Sequence, residues 1–593
     1  MHISQTIRLE KNKDIGMSEG DFRIKLTGSA GDGIISASEI LFTFLAHLRY
    51  HVSLYKDIPS SIRSGQTSSM ISFSGKPIVS PVGKCNILFL LNNSLDSYTL
   101  TSASYAFVSE KLRDQIDLLK TGRTTVYFLP TDLLSSSKAV ALLGIITSCL
   151  GFPAPEMQYI IASKFQEEKS RNNNYNSFTS GFSWAQQEKI SITSHPHPCN
   201  SEVNLDTIDG NCAISHAAIA AGCRFFSSYP ITPATTIGET LSNLLPQYGG
   251  VAYQAEDEIA ALATVAGASF SGVKSMTATS GPGFSLMQEM IGYLSMVELP
   301  AVIVNVMRVG PSTGMPTHHS QDDLLAAVFG GHGETPRIII APASIEDCYN
   351  TTIDAFNCAE YYACPVIILS DYSLAFTRKT ILSNAFNYKK ILDRKTDLQS
   401  DSDQDFQRYS PDNSVYPDLP APGLSSCTYR ITGLEHDSHS FPSEDMEIHE
   451  QQMKQRFTKL TNIEKEYNHL IEWDLEKDEM YKADATIVSW GFSVMPVKEA
   501  IISLRKKEVK IAALFPKLLF PVCVNAFNRL LIYNSPVIII ESNFSGQFAS
   551  LIRMYTDAKV ISVKNLNGQP LSSEYIELQI ENIIAKNRND ENA

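Results

Sequence analysis

From about residue 208 to 384 the sequence repeats one pattern: a short apolar run, a glycine, proline or acidic turn, then a stretch of helical length. The strand-like runs are "GVAYQA", "VKSMTATS", "AVIVNVMR", "PRIIIAP" and "CPVIILSD". Between them lie "EIAALATVAGASF", "FSLMQEMIGYLSM", "DDLLAAVFGG" and "SIEDCYNTTIDAFNCAEYY", which read as helices. Strands apolar on both faces and separated by helices imply a parallel sheet covered on both sides. Ligands of such sheets lie beyond the carboxyl ends of the strands, so the turns that follow the strands are where chemistry is expected. A similar alternation runs from "FRIKLTGSAGDGIISASEILFTFLAHL" through "YHVSLYKD", "NILFLLNN" and "TTVYFLP", and returns from "ATIVSWGFS" to "KVISVKNLNGQP". The expected fold is α/β, three α/β units in series, the central one a doubly wound parallel sheet.

A chain of 593 residues is too long for one core, which agrees with several units. Residues 169–207 are polar and rich in Asn, Ser and Pro, and read as a linker. Residues 385–480 are acidic, with "DLQSDSDQDFQRYSPDNS" their least foldable part and a charged helical stretch after it. The expected domains are therefore 20–168, 208–384 and 481–585, with 169–207 and 385–480 joining them. Lys and Arg number 49 against 63 Asp and Glu, a net charge of -14, which argues against nucleic acid as a partner. The start "MHISQTIRLEKNKDIGMSEGD" lacks the apolar core of a signal peptide. Apolar runs such as "AVALLGIITSCLGF" are shorter than the roughly 18 to 20 residues that cross a bilayer, so a cytoplasmic protein without a membrane partner is expected. The 10 cysteines are scattered and form no CxxC, so neither a disulfide framework, a structural zinc nor an iron–sulfur cluster is expected in this chain. "HPHPC" at 195–199 has the look of a metal ligand set, but reads more plainly as a proline-stiffened connection.

Three stretches carry candidate chemistry. In "SSYPITPATT" two prolines stand three apart around Thr232, after a strand-like run. Pro230 and Pro233 fix φ and restrict their neighbours, giving a rigid turn that presents Tyr229, Pro230 and Thr232 at the sheet's end. The same residues also suit an ordinary turn before the helix "TTIGETL". In "AEDEIAALATVAGAS" three acids crowd the start of a small-residue helix. Glu256 and Asp257 are stabilised there by the helix dipole. Glu258 is nearest the buried face, where a carboxylate held dry can exchange a proton with a ring nitrogen. "NVMRVGPSTGMPT" then supplies a cation at a strand end, Arg308, and a glycine loop bearing Ser312, Thr313 and Thr317. An arginine fork with a nearby hydroxyl suits a carboxylate ligand. His318 and His319 are read as solvated loop residues, and "TSGPGFSLM" as a glycine turn open to close ligand approach.

Taken together, "YPITP", "QAEDEIAA", "TATSGPGFSLM", "GPSTGMPT" and "GGHGETPRIIIAPAS" resemble, in order, the α subunit of the 2-oxoacid:ferredoxin oxidoreductases. "TGLEHDSHSFPSEDMEIHEQQMKQRFTKL" resembles that family's connecting segment and "VIIIESNFSGQFASLIR" its C-terminal domain, similar to that of transketolases. Residues 22–165, through "GSAGDGIISASEIL" and "IPSSIRSGQ", resemble the family's γ subunit. The resemblance implies a γ–α fusion and a central thiamine pyrimidine-binding domain. It implies an enzyme that oxidatively decarboxylates a 2-oxoacid with coenzyme A to an acyl-CoA and CO2, passing electrons to ferredoxin. The γ–α order favours 2-oxoglutarate, with pyruvate or a broad range of 2-oxoacids as the alternative.

Thiamine diphosphate is shared in this family with a β partner, which holds the diphosphate, Mg2+ and a [4Fe-4S] cluster. No metal is then expected on this chain, and a (γα)2β2 assembly is. By the same resemblance Glu258 is the catalytic glutamate that hydrogen-bonds the pyrimidine ring. Thr232 contacts the 2-oxoacid, and Arg308 and Thr317 receive its carboxylate and oxo group. "GDG" at 31–33 resembles the start of the thiamine diphosphate–Mg2+ motif, but no asparagine occurs in the next 30 residues and Asn92–Asn93 lie too far along. Gly28, Gly31 and Gly33 are instead expected to admit the phosphates of coenzyme A at a helix N-terminus. A transketolase-like enzyme would need the diphosphate motif in this chain. A non-catalytic assembly subunit would have no use for Glu258, Thr232 and Arg308 together.

Overall fold

Strands of the first unit form over runs rich in β-branched and aromatic residues, and its helices Ile34–His47 and Lys138–Cys149 where Ala, Leu and Ile dominate. The computed structural model describes residues 20–58, 65–92, 103–117, 124–134, 137–165, 167–200, 204–386, 390–396, 406–411, 415–423, 427, 429–475, 483–531 and 536–592. Residues 59–64 of "IPSSIRSGQ", Asn93 and much of "DLQSDSDQDFQRYSPDNS" lie outside them. The chain divides into two units: residues up to Ile208 with Thr377–Ser383 and Ser572–Glu574, and the remainder.

The first unit is built on an eight-stranded sheet. Its strands are β1 (Phe22–Ser29), β2 (His51–Asp57), β3 (Gln66–Ser74), β4 (Ile87–Leu90), β5 (Tyr105–Ser109), β6 (Thr125–Leu129), β7 (Leu205–Asp209) and the strand Arg378–Leu382. They lie in the order β6, β5, β4, β1, β3, β2, Arg378–Leu382, β7. The half from β6 to β1 is parallel, whereas β3 runs antiparallel to both β1 and β2.

The stretch 169–207, expected as linker, is helical over Glu168–Gln187. Its buried face is Asn174, Ser177, Phe178, Gly181 and Ala185, and it packs closely on the helix Lys138–Cys149. A Cβ on Gly144 would meet the Phe182 nitrogen at 2.8 Å, and one on Gly181 would meet the Ala141 Cα at 3.1 Å. Backbone contact that close replaces apolar bulk, which is why polar composition concealed a packed helix. Within "HPHPC", His195 Nε2 lies 3.0 Å from the Leu150 carbonyl oxygen and Cys199 Sγ donates to the Arg49 carbonyl at 2.6 Å.

The second unit contains the central sheet: β8 (Phe225–Ser228), β9 (Val251–Gln254), β10 (Ser275–Thr279), β11 (Ala301–Met307), β12 (Ile338–Ile340) and β13 (Pro365–Asp371). Its order is Leu518–Phe520, β12, β13, β11, β10, β8, β9. All pairs are parallel except the added strand Leu518–Phe520, which runs antiparallel to β12. β10, β11 and β13 are buried along their whole length, as their apolar runs demand. From β8 the chain moves outward to β9 and then crosses back to β10, so the winding direction switches between β8 and β10.

A further five-stranded sheet orders Ile471–Asp474, Ile511–Pro516, Ala485–Ser489, Val537–Glu541 and Val560–Lys564. Met307 and Leu324 of the central sheet's layer share one apolar cluster with Trp490 and Phe548 of this one. The described part of 385–480 is held by buried charge: Lys459 Nζ lies 3.0 Å from Glu298 Oε2. No described helix is long and apolar enough to cross a membrane.

Candidate active site

The winding switch places the turn after β8 beside the turn after β10, and β9 and β11 flank them. Four strand ends therefore converge, and each carries a residue singled out by the sequence. After β8 the chain turns through Tyr229-Pro230-Ile231-Thr232-Pro233 into the helix Thr235–Leu244. Ala234 N donates to the Ile231 carbonyl at 2.8 Å, and the Thr232–Pro233 bond is cis. Asn211, fully buried, donates to the Pro233 carbonyl at 2.9 Å and to Thr236 Oγ1 at 2.7 Å. The turn is thus fixed from behind while Tyr229, Pro230 and Thr232 stay exposed.

Arg308 follows β11 and is 7% exposed. Its Nη1 donates to the Thr232 carbonyl oxygen at 2.6 Å, and its Nε has no partner among the described residues. Burial lowers the pKa of this guanidinium, an effect the charge of Asp323 opposes. No carboxylate lies within ion-pair distance of it among the described residues. A buried cation so placed is costly unless an anion joins it. Thr317 stands on the loop after Arg308, and its Oγ1 is buried without a partner. That loop is closed by Met315 N donating to the Val309 carbonyl at 3.0 Å.

His319, expected in solvent, is 2% exposed, with Nδ1 3.4 Å from Asp371 Oδ1 and its ring 5.5 Å from that of Phe492. Its backbone N donates to the Gly568 carbonyl at 3.0 Å. Residues more than 170 positions downstream bury it, and no local pattern carries that information.

Glu258 opens the helix Glu258–Phe270 after β9. Asp257 is the N-cap, accepting from Ala260 N at 2.7 Å, so Glu258 is released from capping. It is 6% exposed and has no ion-pair partner among the described residues. Its side chain lies on Gly283 in the short helix Gly281–Leu286 after β10: a Cβ there would sit 2.6 Å from Glu258 Cγ and would also strike Thr279 Oγ1. Glycine at 283 is therefore what gives the carboxylate its space.

A second acid that the sequence reading passed over, Asp323, packs against the same segment from the start of the helix Leu324–Phe329 after β11. A Cβ on Gly281 would lie 3.3 Å from Asp323 Oδ2, which accepts from Asn305 Nδ2 at 2.9 Å. Burial pushes the Asp323 carboxyl up to about 6; Asp322 adds to the rise, while the Asn305 hydrogen bond and Arg308 oppose it. The available signal was Asn305, an amide in the middle of the buried strand "AVIVNVM", which needs a polar partner.

The glycine turn of the first unit has a different content. Gly31 and Gly33 have φ of +94° and +79° before the helix Ile34–His47. A Cβ on Gly28 would meet Asp32 Oδ2 at 2.9 Å. That oxygen accepts from Ser29 N at 2.8 Å, and Lys138 Nζ stands 2.6 Å from Asp32 Oδ1. Among the described residues no group of three or more His, Cys, Asp or Glu side chains is arranged to hold a metal ion.

Two family models match the chain. Residues 216–455 match a pyruvate flavodoxin/ferredoxin oxidoreductase thiamine diphosphate-binding domain, and residues 23–184 a pyruvate ferredoxin/flavodoxin oxidoreductase domain. A 2-oxoglutarate synthase subunit KorA of Methanocaldococcus jannaschii is 35% identical over 63% of this chain and 99% of its own length. A 2-oxoacid:ferredoxin oxidoreductase subunit alpha of a Sulfolobus species is 27% identical over 94% of this chain and 96% of its own. Among solved structures, the 2-oxoglutarate:ferredoxin oxidoreductase of Magnetococcus marinus, with 2-oxoglutarate, coenzyme A and succinyl-CoA bound, superposes with a TM-score of 0.85. It is 31% identical and covers 95% of this chain and all of its own.

Proposed function

The chain belongs to the 2-oxoacid:ferredoxin oxidoreductase family, and from that premise we propose that it is the γ–α subunit of an enzyme whose substrate is 2-oxoglutarate. The reaction is 2-oxoglutarate with coenzyme A giving succinyl-CoA, CO2, one proton and two electrons, the electrons passing to ferredoxin. The observation that carries this reading is a buried, unpaired Arg308 bonded to the Thr232 carbonyl, on strand ends that also present a buried Glu258.

Thiamine diphosphate, when bound, supplies the electron sink that lets a 2-oxoacid lose CO2. The residues present fit its aminopyrimidine half: Glu258 is buried, has no ion-pair partner among the described residues and is seated against Gly283, where close approach by a ring is possible. In this reading Glu258 holds a hydrogen bond to the ring nitrogen and moves the proton at that atom. Arg308 takes the substrate's carboxylate, while the Thr232 and Thr317 hydroxyls position its oxo end and Tyr229 and Pro230 wall that side. The prolines and Asn211 leave this turn little freedom to lose on binding. A β partner is proposed to hold the diphosphate, Mg2+ and a [4Fe-4S] cluster, in a cytoplasmic (γα)2β2 assembly. Gly28, Gly31 and Gly33, with Lys138, are proposed to receive coenzyme A's phosphates.

The test is co-purification with the β partner, then a 2-oxoacid panel with and without coenzyme A. CoA-dependent reduction of ferredoxin by 2-oxoglutarate supports the reading; preference for pyruvate would reassign the substrate. In the same complex Glu258→Gln is expected to lower turnover at least about a hundredfold. Normal turnover would remove Glu258 from the chemistry.

A further inference from the structure

We propose that Asn211 is a positioning residue for substrate binding: by holding the Pro233 carbonyl it fixes the neighbouring Thr232 carbonyl, which orients the Arg308 guanidinium. The inference rests on the reading of Arg308 as the partner of the 2-oxoacid's carboxylate. Asn211 is the second residue of the helix Gly210–Ala220 and is fully buried. Asp209 caps that helix, accepting from Cys212 N at 2.8 Å, so the Asn211 amide is released from capping. Its Nδ2 donates to the Pro233 carbonyl at 2.9 Å and to Thr236 Oγ1 at 2.7 Å. Its Oδ1 has no partner among the described residues, so those two donations are all the side chain does. One residue before Pro233, the Thr232 carbonyl accepts from Arg308 Nη1 at 2.6 Å. Successive carbonyls of one proline turn are thus gripped from opposite sides, by the amide and by the guanidinium.

The helix behind Asn211 is a firm base. A Cβ on Gly210 would lie 2.8 Å from the Leu374 carbonyl carbon, so the helix start is pressed on the backbone that follows β13. Leu374 N is itself held by Asp371 Oδ1 at 2.9 Å. Asparagine is a poor helix former, and a helix of small residues would gain from alanine at this position were the amide idle. On the other side of the turn, the Thr232 carbonyl is the one hydrogen-bond partner of the Arg308 side chain among the described residues. With Nη1 taken by that carbonyl, the unpartnered Nε edge is left for a ligand. A planar fork receives a carboxylate through two bonds only when its plane is set, so displacing the carbonyl turns the fork away from its ligand.

The experiment is a double-mutant cycle on the assembled enzyme with saturating coenzyme A, reading KM and kcat for 2-oxoglutarate. Asn211→Ala is expected to raise KM about five- to tenfold and to change kcat by less than about twofold. In an Arg308→Lys background the same change should raise KM by less than about twofold, because an ammonium is a point charge with no plane to lose. A merely structural amide would lower stability and kcat, and would act by the same factor in both backgrounds. Asn211→Ser, whose shorter hydroxyl falls away from the Pro233 carbonyl, decides the matter if Asn211→Ala fails to assemble. It should raise KM at least about threefold with Arg308 present and less than about 1.5-fold with Lys in its place. Equal factors in the two backgrounds, or a loss confined to kcat, overturn the inference. If Arg308→Lys leaves KM unchanged by itself, or if wild type turns over no 2-oxoacid, it is the functional reading that fails.

Discussion

The turns after β1 and β10 are built on one idea and finished differently. In each, a strand ends in glycines because a carboxylate occupies the volume a Cβ would need: Asp32 against Gly28, Glu258 against Gly283 and Asp323 against Gly281. Asp32 is then satisfied within the chain, by Ser29 N at 2.8 Å and Lys138 Nζ at 2.6 Å, with the lysine side chain 42% exposed. Glu258 is buried and Asp323 half-buried, and they have between them one neutral amide donor, Asn305. The same sequence idiom thus sets the shape of both turns, while the surrounding charge decides their state. The first turn is electrostatically closed by its own chain. The second is left needing groups from outside, which is the condition of a binding site rather than of a scaffold.

That contrast is broken most severely at Gly283. Gly283→Ala should drive Glu258 and Thr279 aside, lowering turnover of the assembled enzyme about a hundredfold and stability by about 1–3 kcal/mol. Turnover and thermal melting check this together; a variant with wild-type turnover would mean that the seat of Glu258 is unimportant. Arg308→Ala is the next largest. Losing a charge-assisted pair of about 1.5–3 kcal/mol predicts a KM for the 2-oxoacid raised about 10- to 150-fold. An unchanged KM would place the carboxylate elsewhere.

What the sequence revealed of these regions depended on whether the signal was local. The central strands were legible because β10, β11 and β13 are apolar on both faces, and the position of Arg308 followed from the strand it ends. β3, "QTSSMISFS", went unnoticed although all but its first residue is buried. Its hydroxyls bond inward, as Ser38 with Ser69 and Ser72 with the Pro81 carbonyl, so polarity there is not exposure. The helix Glu168–Gln187 was concealed for a related reason, its buried face mixing Phe178 with the polar or small residues Asn174, Ser177, Gly181 and Ala185. His319 and Asp323 were missed because the groups that define them, Asp371, Phe492 and Asn305, are distant in sequence. Composition reports the element; only the fold reports the neighbour.

The smallest effect is expected at Lys138, and its sign is more informative than its size. A pair this exposed contributes about 0–1 kcal/mol to folding, so Lys138→Ala should move Tm by no more than a few degrees. If coenzyme A's phosphates approach Gly28, Gly31 and Gly33, Lys138 is also the cation they meet. Lys138→Ala should then raise KM for coenzyme A about three- to tenfold while leaving KM for the 2-oxoacid alone. Asp32→Asn should act oppositely, lowering KM for coenzyme A, because it removes the anion that competes for Lys138. A pair that merely braced the turn would give changes of the same sign from either side, since each variant breaks the same contact. Opposite signs in the coenzyme A titrations would mark this turn as anion-binding, and equal signs would reduce it to architecture.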